Sequence, residues 1–325
     1  MKVVSLFSGC GGLDLGFIQA GFNIIWANDI DKFAVQSYRH NIGDHIIEKD
    51  LTEIPVSEIP NHDVLIGGFP CQPFSMMGDQ KGFTDTRGTL FFNIEQIILH
   101  HKPKVVVLEN VRNLVNHENG RTYKVIREHL DLAGYDVFDQ VLNSADYGVP
   151  QTRNRIFMVC FRKDLNIGKF DFPAPIPLET TLQNILEKNV PAKYYLSHKI
   201  LPTIMASGTK TYKAKTEIDL SIARPLCATM AKMHRASQDN YVTQPSELAE
   251  IEGKTSVRRL TPRECARLQG FPEGSKYEII VSDSQAYKQF GNAVTVNVAE
   301  YVAKAILDKL NSKKDEAREL QHQGS

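Results

Sequence analysis

The first thirty-one residues do most to limit what this chain can fold into. A short apolar run from Val3 to Phe7 meets the tight loop Ser8-Gly9-Cys10-Gly11-Gly12. A helix follows to about Ala20 and stops at Gly21, and a second run, Ile24 to Ala27, closes on Asn28-Asp29-Ile30-Asp31. Strand, glycine loop, helix, strand and acidic residue in that order form the opening unit of a doubly wound sheet. The alternation continues with a helix through Tyr38, a strand at Val64 to Ile66, a helix around Leu90 to His101 and a strand at Val105 to Leu108 ending in Glu109-Asn110. A helix around Tyr123 to Ala133 and strands near Val137 to Leu142 and Ile156 to Phe161 complete it. This spacing predicts an α/β fold with a mostly parallel sheet.

After Phe161 the texture changes. Prolines cluster between Phe172 and Pro177, and the next hundred residues mix threonine, lysine and short apolar runs without helical periodicity, which predicts a separate, smaller module of short strands and loops. Helical pattern returns at Thr261-Pro262, an N-cap followed by a first-turn proline, and again from Val294 to about Leu310. The charged tail from Asn311 has no apolar face and reads as frayed or disordered.

Composition narrows the class. No apolar run approaches the ~20 residues that a membrane span needs, and the N-terminal run is too short for a signal peptide, so a cytoplasmic protein is expected. The five cysteines (Cys10, Cys71, Cys160, Cys227, Cys265) are scattered and never spaced Cys-x-x-Cys, which argues against a disulfide framework and against a metal site. Basic and acidic residues balance at 38 each, yet Lys193 to Arg267 holds 13 basic against 7 acidic residues, net +6, leaving 25 against 31 elsewhere. A basic segment on an acidic body is what a phosphate backbone would meet, although a solvated basic face has the same composition.

Two stretches carry chemistry. In Gly67-Gly68-Phe69-Pro70-Cys71-Gln72-Pro73-Phe74-Ser75 a cysteine stands between two prolines at the end of an apolar strand, held stiffly where glycines allow a ligand to approach. Most cysteines of this kind are small buried hydrophobes; a nucleophile needs a polar, partly open setting. In Gly9-x-Gly11-Gly12 the third glycine of a dinucleotide fingerprint is replaced by Asp14, which disfavours a nicotinamide cofactor. A ligand without phosphates fits better. The helix N-terminus can hold a carboxylate, Asp29 can accept from ribose hydroxyls, and Asp50, before Leu51, can accept from an adenine amino group. Together these point to S-adenosylmethionine, though each residue alone is equally a turn or a cap.

Phe7-Ser8-Gly9-Cys10-Gly11-Gly12, Pro70-Cys71-Gln72, Glu109-Asn110-Val111, Gln151-Thr152-Arg153-Asn154-Arg155 and Gly291-Asn292-Ala293-Val294 stand in order, joined by Arg259 to Arg267 and Gln285 to Phe290. In this the chain resembles the C5-cytosine DNA methyltransferases, especially the compact bacterial enzymes of restriction-modification systems, over nearly its whole length. Ile30 departs from the pattern, standing where many members place an aromatic against adenine.

The resemblance implies the S-adenosylmethionine-dependent methyltransferase fold, with a discontinuous catalytic domain of 1–177 and 285–325 and a target-recognition domain and hinge of 178–284. It implies Cys71 as nucleophile on cytosine C6, Glu109 hydrogen-bonding N3 and the exocyclic amine through a tuned carboxyl, and Arg155 on O2 with Arg153 nearby. The arginines also suit phosphate contacts or ion pairs. The implied cofactor pocket comprises Phe7, Gly9, Gly11, Gly12, Leu13, Asp29, Ile30, Asp50, Leu51, Gly68, Pro70, Asn292 and Ala293. The base must be flipped out of the duplex, and Ser75 to Gly88, with Lys81 and Arg87, is expected to fold over it. Thr229-Met230 resembles the threonine-apolar pair of the family's reader modules. Thr229, Lys232, His234, Arg235, Ser237, Gln238, Asn240 and Tyr241 are therefore expected at double-stranded DNA, on base edges or only on phosphates. The partner is duplex DNA, met by a monomer; methylation of tRNA and a solitary regulatory role are the alternatives.

Overall fold

The computed structural model of the protein describes residues 1–70, 89–207 and 214–323. The chain divides into two compact units, one of Met1–Leu142, Asn154–Ala174 and Val298–Ser325, the other of Asn143–Arg153 and Pro175–Asn297.

In the first unit the chain runs β1 (Lys2–Leu6), α1 (Gly12–Gln19), β2 (Asn23–Asp29), α2 (Lys32–Asn41), β3 (Ile46–Glu48), β4 (Val64–Gly68), α3 (Thr89–His101) and β5 (Val105–Val111). It continues through α4 (Arg121–Leu132), β6 (Tyr135–Asn143) and β7 (Asn154–Arg162). The strands form one seven-stranded sheet ordered β3-β2-β1-β4-β5-β7-β6. From β3 to β5 the pairing is parallel, and β7 lies antiparallel to β5. Val3, Val4, Val64 to Ile66 and Val105 to Leu108 are wholly buried. That is why these strands read as unbroken apolar runs: both faces of a parallel sheet are covered. The order reverses between β1 and β4, and the parallel strands end on one edge, where ligands bind in sheets of this kind.

The second unit contains β8 (Tyr195–Ser197), α5 (Leu201–Ile204), β9 (Tyr241–Thr243), α6 (Glu247–Ile251), β10 (Lys254–Arg259), α7 (Pro262–Leu268) and α8 (Asp283–Asn292). Its three strands make a small antiparallel sheet, β8-β10-β9. The expected cap of α7 is present and doubled: Thr261 Oγ1 accepts from the Glu264 amide while the Glu264 carboxylate accepts from the Thr261 amide.

One expectation, that of a frayed or disordered tail, is corrected. Asn143–Arg153 and α8 belong to the second unit. Gln151 donates to the Leu268 carbonyl and accepts from the Leu226 amide, Ser144 Oγ meets Thr295 Oγ1 at 2.8 Å, and the Thr152 amide donates to the Ala223 carbonyl. The tail from Asn311 is helical, since α9 (Val296–Gln323) runs through it. Beyond Leu310 the residues as far as Gln323 contain no glycine or proline and many strong helix formers, with Lys313 paired to Glu316 one turn on. Among the described residues no helix is long and apolar enough to cross a membrane.

Candidate active site

Four strand ends build the site in the first unit. β1 runs into Phe7, whose backbone takes the left-handed conformation (φ 54°) that side-chain-bearing residues seldom adopt and that gathers at functional loops. Gly9 and Gly11 are left-handed as well, and a Cβ at Gly11 would come within 2.0 Å of Ile42 and 3.3 Å of the Tyr38 ring. The glycine is therefore needed both for its φ and because α2 passes directly against the loop. The loop is tied to the end of β2: the Ser8 amide donates to the Asn28 carbonyl and the Gly9 amide to Asp29 Oδ2 at 2.8 Å.

Asp29 also accepts from the Asp31 amide through Oδ1. Burial raises its pKa above the usual carboxylate value, and these two amides pull it back only in part. Beside it Ile30 is 66% exposed, a bare apolar side chain next to an acceptor. Asp50 caps the short turn Leu51–Glu53, its Oδ1 accepting from the Thr52 amide and hydroxyl, and Oδ2 has no partner among the described residues. Asn28, buried at the end of β2, holds the Ile47 and Lys49 carbonyls and so fixes the strand that leads to Asp50. The side chains of Leu13 and Leu51 are buried.

Gly68 at the end of β4 is paired with Glu109 in β5, and Val111 with Arg155 at the start of β7. This register brings Arg155 Nε to 3.1 Å from Glu109 Oε1, with both side chains largely covered. Arg155 Nη1 donates to the Asn154 carbonyl, and Nη2 has no partner among the described residues. Asn110, 2% exposed, donates to the Phe69 carbonyl at 2.9 Å and accepts from the Val111 amide. It therefore clamps the chain two residues before Cys71. That role was not foreseen from the sequence, though a buried asparagine ending an apolar strand is itself a signal of one. Cys71, Ser75, Lys81 and Arg87 lie outside the described residues.

In the second unit the expected residues separate. Arg153 is 1% exposed, and its guanidinium donates to the carbonyls of Leu226, Gly291 and Ala293 at 2.9 to 3.0 Å. An arginine so engaged braces the end of α8, and the expectation that it helps Arg155 at the base is corrected to that role. Gly291 is required there, because a Cβ would lie 2.3 Å from the backbone of Cys227 and Ala228. Asn292 and Ala293 follow directly. In the reader stretch Tyr241 is 1% exposed and donates to the His234 carbonyl, while Asn240 is buried and exchanges hydrogen bonds with the Arg224 backbone. Both were expected at DNA, and both instead support the segment from within. Thr229 Oγ1 lies 2.9 Å from His234 Nε2, and Lys232 and Gln238 are exposed. Neither Lys232 nor half-buried Arg235 has a carboxylate partner among the described residues. Other cations of the basic segment are spent internally, Arg258 on Glu264 and Arg267 on Glu273.

The doubly wound sheet thus carries a glycine loop, a buried aspartate and a carboxylate–arginine pair at its strand ends. The C-5 cytosine-specific DNA methylase model matches residues 1–308, and the chain belongs to that family; it is a DNA (cytosine-5)-methyltransferase, of a family whose methyl donor is S-adenosylmethionine. It is 42% identical to the Type II methyltransferase M.NlaX of Neisseria lactamica, over 97% of this chain and 98% of that one. It is 38% identical to the Type II methyltransferase M.HhaI of Haemophilus parahaemolyticus, over 96% of each. The crystal structure of S. pombe Dnmt2 methyltransferase superposes with a TM-score of 0.75 over 96% of this chain and 99% of that one, and at 20% identity this likeness concerns the fold.

Proposed function

We propose that the protein methylates C5 of a cytosine flipped out of a short, specific duplex DNA sequence, acting as a monomer that protects host DNA in a restriction-modification system. The observation that carries the reading is the pairing of Glu109 with Arg155 across the β5–β7 register, beside a chain segment clamped by Asn110 just ahead of Cys71. The Type II methyltransferases among its relatives support the restriction-modification role.

Cytosine C5 is a poor nucleophile until a group adds at C6. The Cys71 thiolate forms that C6–S bond, and the displaced electron pair makes C5 nucleophilic. Bound S-adenosylmethionine supplies the electrophilic methyl group. Loss of the C5 proton then returns its electron pair to the ring, and the C6–S bond breaks to release the thiolate. Glu109 hydrogen-bonds N3 and the exocyclic amine, where charge develops during attack, and Arg155, held through Nε and Nη1, donates from Nη2 to O2. Ser75, Lys81, Arg87, Lys232, Arg235 and Gln238 are the residues assigned to the DNA.

For the cofactor, Asp29 accepts from the ribose hydroxyls, Ile30 covers one face of the adenine and Asp50 Oδ2 accepts from its amine. The Phe7–Gly12 loop, Leu13, Leu51, Gly68, Pro70, Asn292 and Ala293 complete the set. The residues fit: Asp50 keeps an open oxygen, Ile30 an open apolar face, and a Cβ at Gly9 would meet nothing within 4 Å.

A duplex carrying 5-fluorocytosine tests the reading, because fluorine cannot leave as a cation in the place of the C5 proton and the C6–S adduct persists through denaturing electrophoresis. The wild type should be trapped in the presence of S-adenosylmethionine and Cys71→Ser should not. An adduct with the serine variant, or methylation of tRNA in preference to duplex DNA, would sink it.

A further inference from the structure

Asp14, in the first turn of α1 where a dinucleotide loop would carry its third glycine, is 0% exposed. It receives hydrogen bonds from two sides. Ser5 Oγ donates to Oδ2 at 2.9 Å and Tyr38 Oη to Oδ1 at 2.8 Å. Each donor is itself approached by another group: Ser8 Oγ donates to Ser5 Oγ at 2.9 Å, and His45 Nε2 lies 3.1 Å from Tyr38 Oη. With the Nε2–H tautomer of His45 and the Ser8 proton on the nearer Ser5 hydroxyl rather than the Ser5 carbonyl at 3.3 Å, the protons of this chain of five side chains point toward the one carboxylate. Both branches pass the glycine loop. Ser8 belongs to it, and the Tyr38 ring lies 3.3 Å from where a Cβ at Gly11 would stand, behind the closer Ile42.

The groups facing Asp14 are Ser5 of β1, Tyr38 of α2 with His45 behind it, and, through the field alone, Asp29 at the end of β2. Among the described residues no cation pairs with it. A buried carboxylate served only by neutral donors is costly to keep, and nothing in the methyl-transfer chemistry uses it.

We propose that Asp14 is a positioning residue for the cofactor loop: its ionised carboxylate is the common acceptor that orients the Ser8–Ser5 branch and the His45–Tyr38 branch, and so holds Phe7–Gly12 in its binding shape. A protonated carboxyl offers Ser5 or Tyr38 a donor where each needs an acceptor, and one branch must turn around. Burial pushes the Asp14 carboxyl up to about 6, so this change falls within reach of experiment. Burial holds the His45 imidazole below its ordinary value, against the pull of the Asp44 charge.

The inference rests on the proposal that the loop holds S-adenosylmethionine, and the test separates the two. S-Adenosylmethionine affinity of the wild type and of Asp14→Asn is measured by calorimetry between pH 5 and 8, with no DNA and no turnover. Asp29 also titrates late, so the quantity read is the ratio of the two affinities, in which shared titrations cancel. The ratio should be about tenfold at pH 7.5, the size of one charge-assisted hydrogen bond lost. It should fall toward one near pH 5, where the wild type carries the proton that the amide mimics. Ser8→Ala, which releases the loop without altering the core, should bind weakly at all pH values and decides the matter if the asparagine variant does not fold. A ratio independent of pH, or Ser8→Ala binding like the wild type, would overturn the proposal. A wild type that binds no S-adenosylmethionine at pH 7.5 would instead overturn the assignment of the loop.

Discussion

Asp14 and Asp29 stand side by side at the cofactor loop and both resist ionisation through burial, yet they differ in what they have for partners. Asp29 accepts from backbone amides that cannot turn away, whereas Asp14 depends on hydroxyls that can. For Asp14 the linkage with stability follows directly. Its folded value of about 6 lies above its ordinary 3.8, so between these pH values the folded chain binds more protons than the unfolded one. Its contribution to stability is therefore greatest in acid and is lost as pH rises through about 6. Urea unfolding from pH 4 to 7.5 should show a loss on the order of 2–3 kcal/mol attributable to this group, absent in Asp14→Asn. An asparagine variant with the same slope as the wild type would remove the carboxylate from this account.

Among the elements, those that announced themselves were the ones whose geometry is set locally. β1, β4 and β5 read as unbroken apolar runs because both of their faces are buried, and Thr261-Pro262 spelled out the start of α7. β3, three residues long, and β8 to β10 were not legible residue by residue, since such strands are defined by partners distant in sequence. The roles of Arg153, Asn240 and Tyr241 were hidden for the same reason: the residue types suited DNA, and only tertiary contacts turned them inward. Glu264 is the clearest case of such a hidden role. It caps α7, accepts from the Glu187 amide, and takes both terminal nitrogens of Arg258, with neither side chain of the pair reached by solvent. Gln244 holds the remaining Nε of that arginine at 2.6 Å. Glu264→Gln leaves a buried guanidinium without its counter-charge and should cost about 3–5 kcal/mol, measured by denaturant titration. A change below ~1 kcal/mol would mean that the pair is no more than a surface-type bridge.

For the whole molecule, the balanced charge conceals a division of labour. The basic stretch from Lys193 to Arg267 has its cations partly consumed by Glu264, Glu273 and Asp283, which leaves Lys232 and Arg235 on a segment tied down by Thr229, Tyr241 and Asn240. A held segment presenting a single arginine suits base reading better than diffuse attraction. Arg235→Ala should relax discrimination at one base position by roughly 1–3 kcal/mol and leave the other positions unchanged, as read from methylation of a randomised duplex pool. Uniform weakening with an unaltered sequence profile and a salt slope lower by about one unit would move Arg235 to the phosphates.

Arg153 and Gln151 hold main-chain atoms: the carbonyls of Leu226, Leu268, Gly291 and Ala293, and the Leu226 amide. Every amino acid but proline carries those atoms. The exposed side chains of the segment, Lys232 and Gln238 among them, can therefore be rewritten, by drift or by a designer, without loosening what holds it, whereas Thr229, Asn240 and Tyr241 must stay. A transplant of residues 175–297 into a relative that carries the same Gln-x-Arg would meet the same grip, provided that the glycine at 291 travels with it. New target sequences then become accessible through changes confined to a few exposed positions, on a frame indifferent to what is written there.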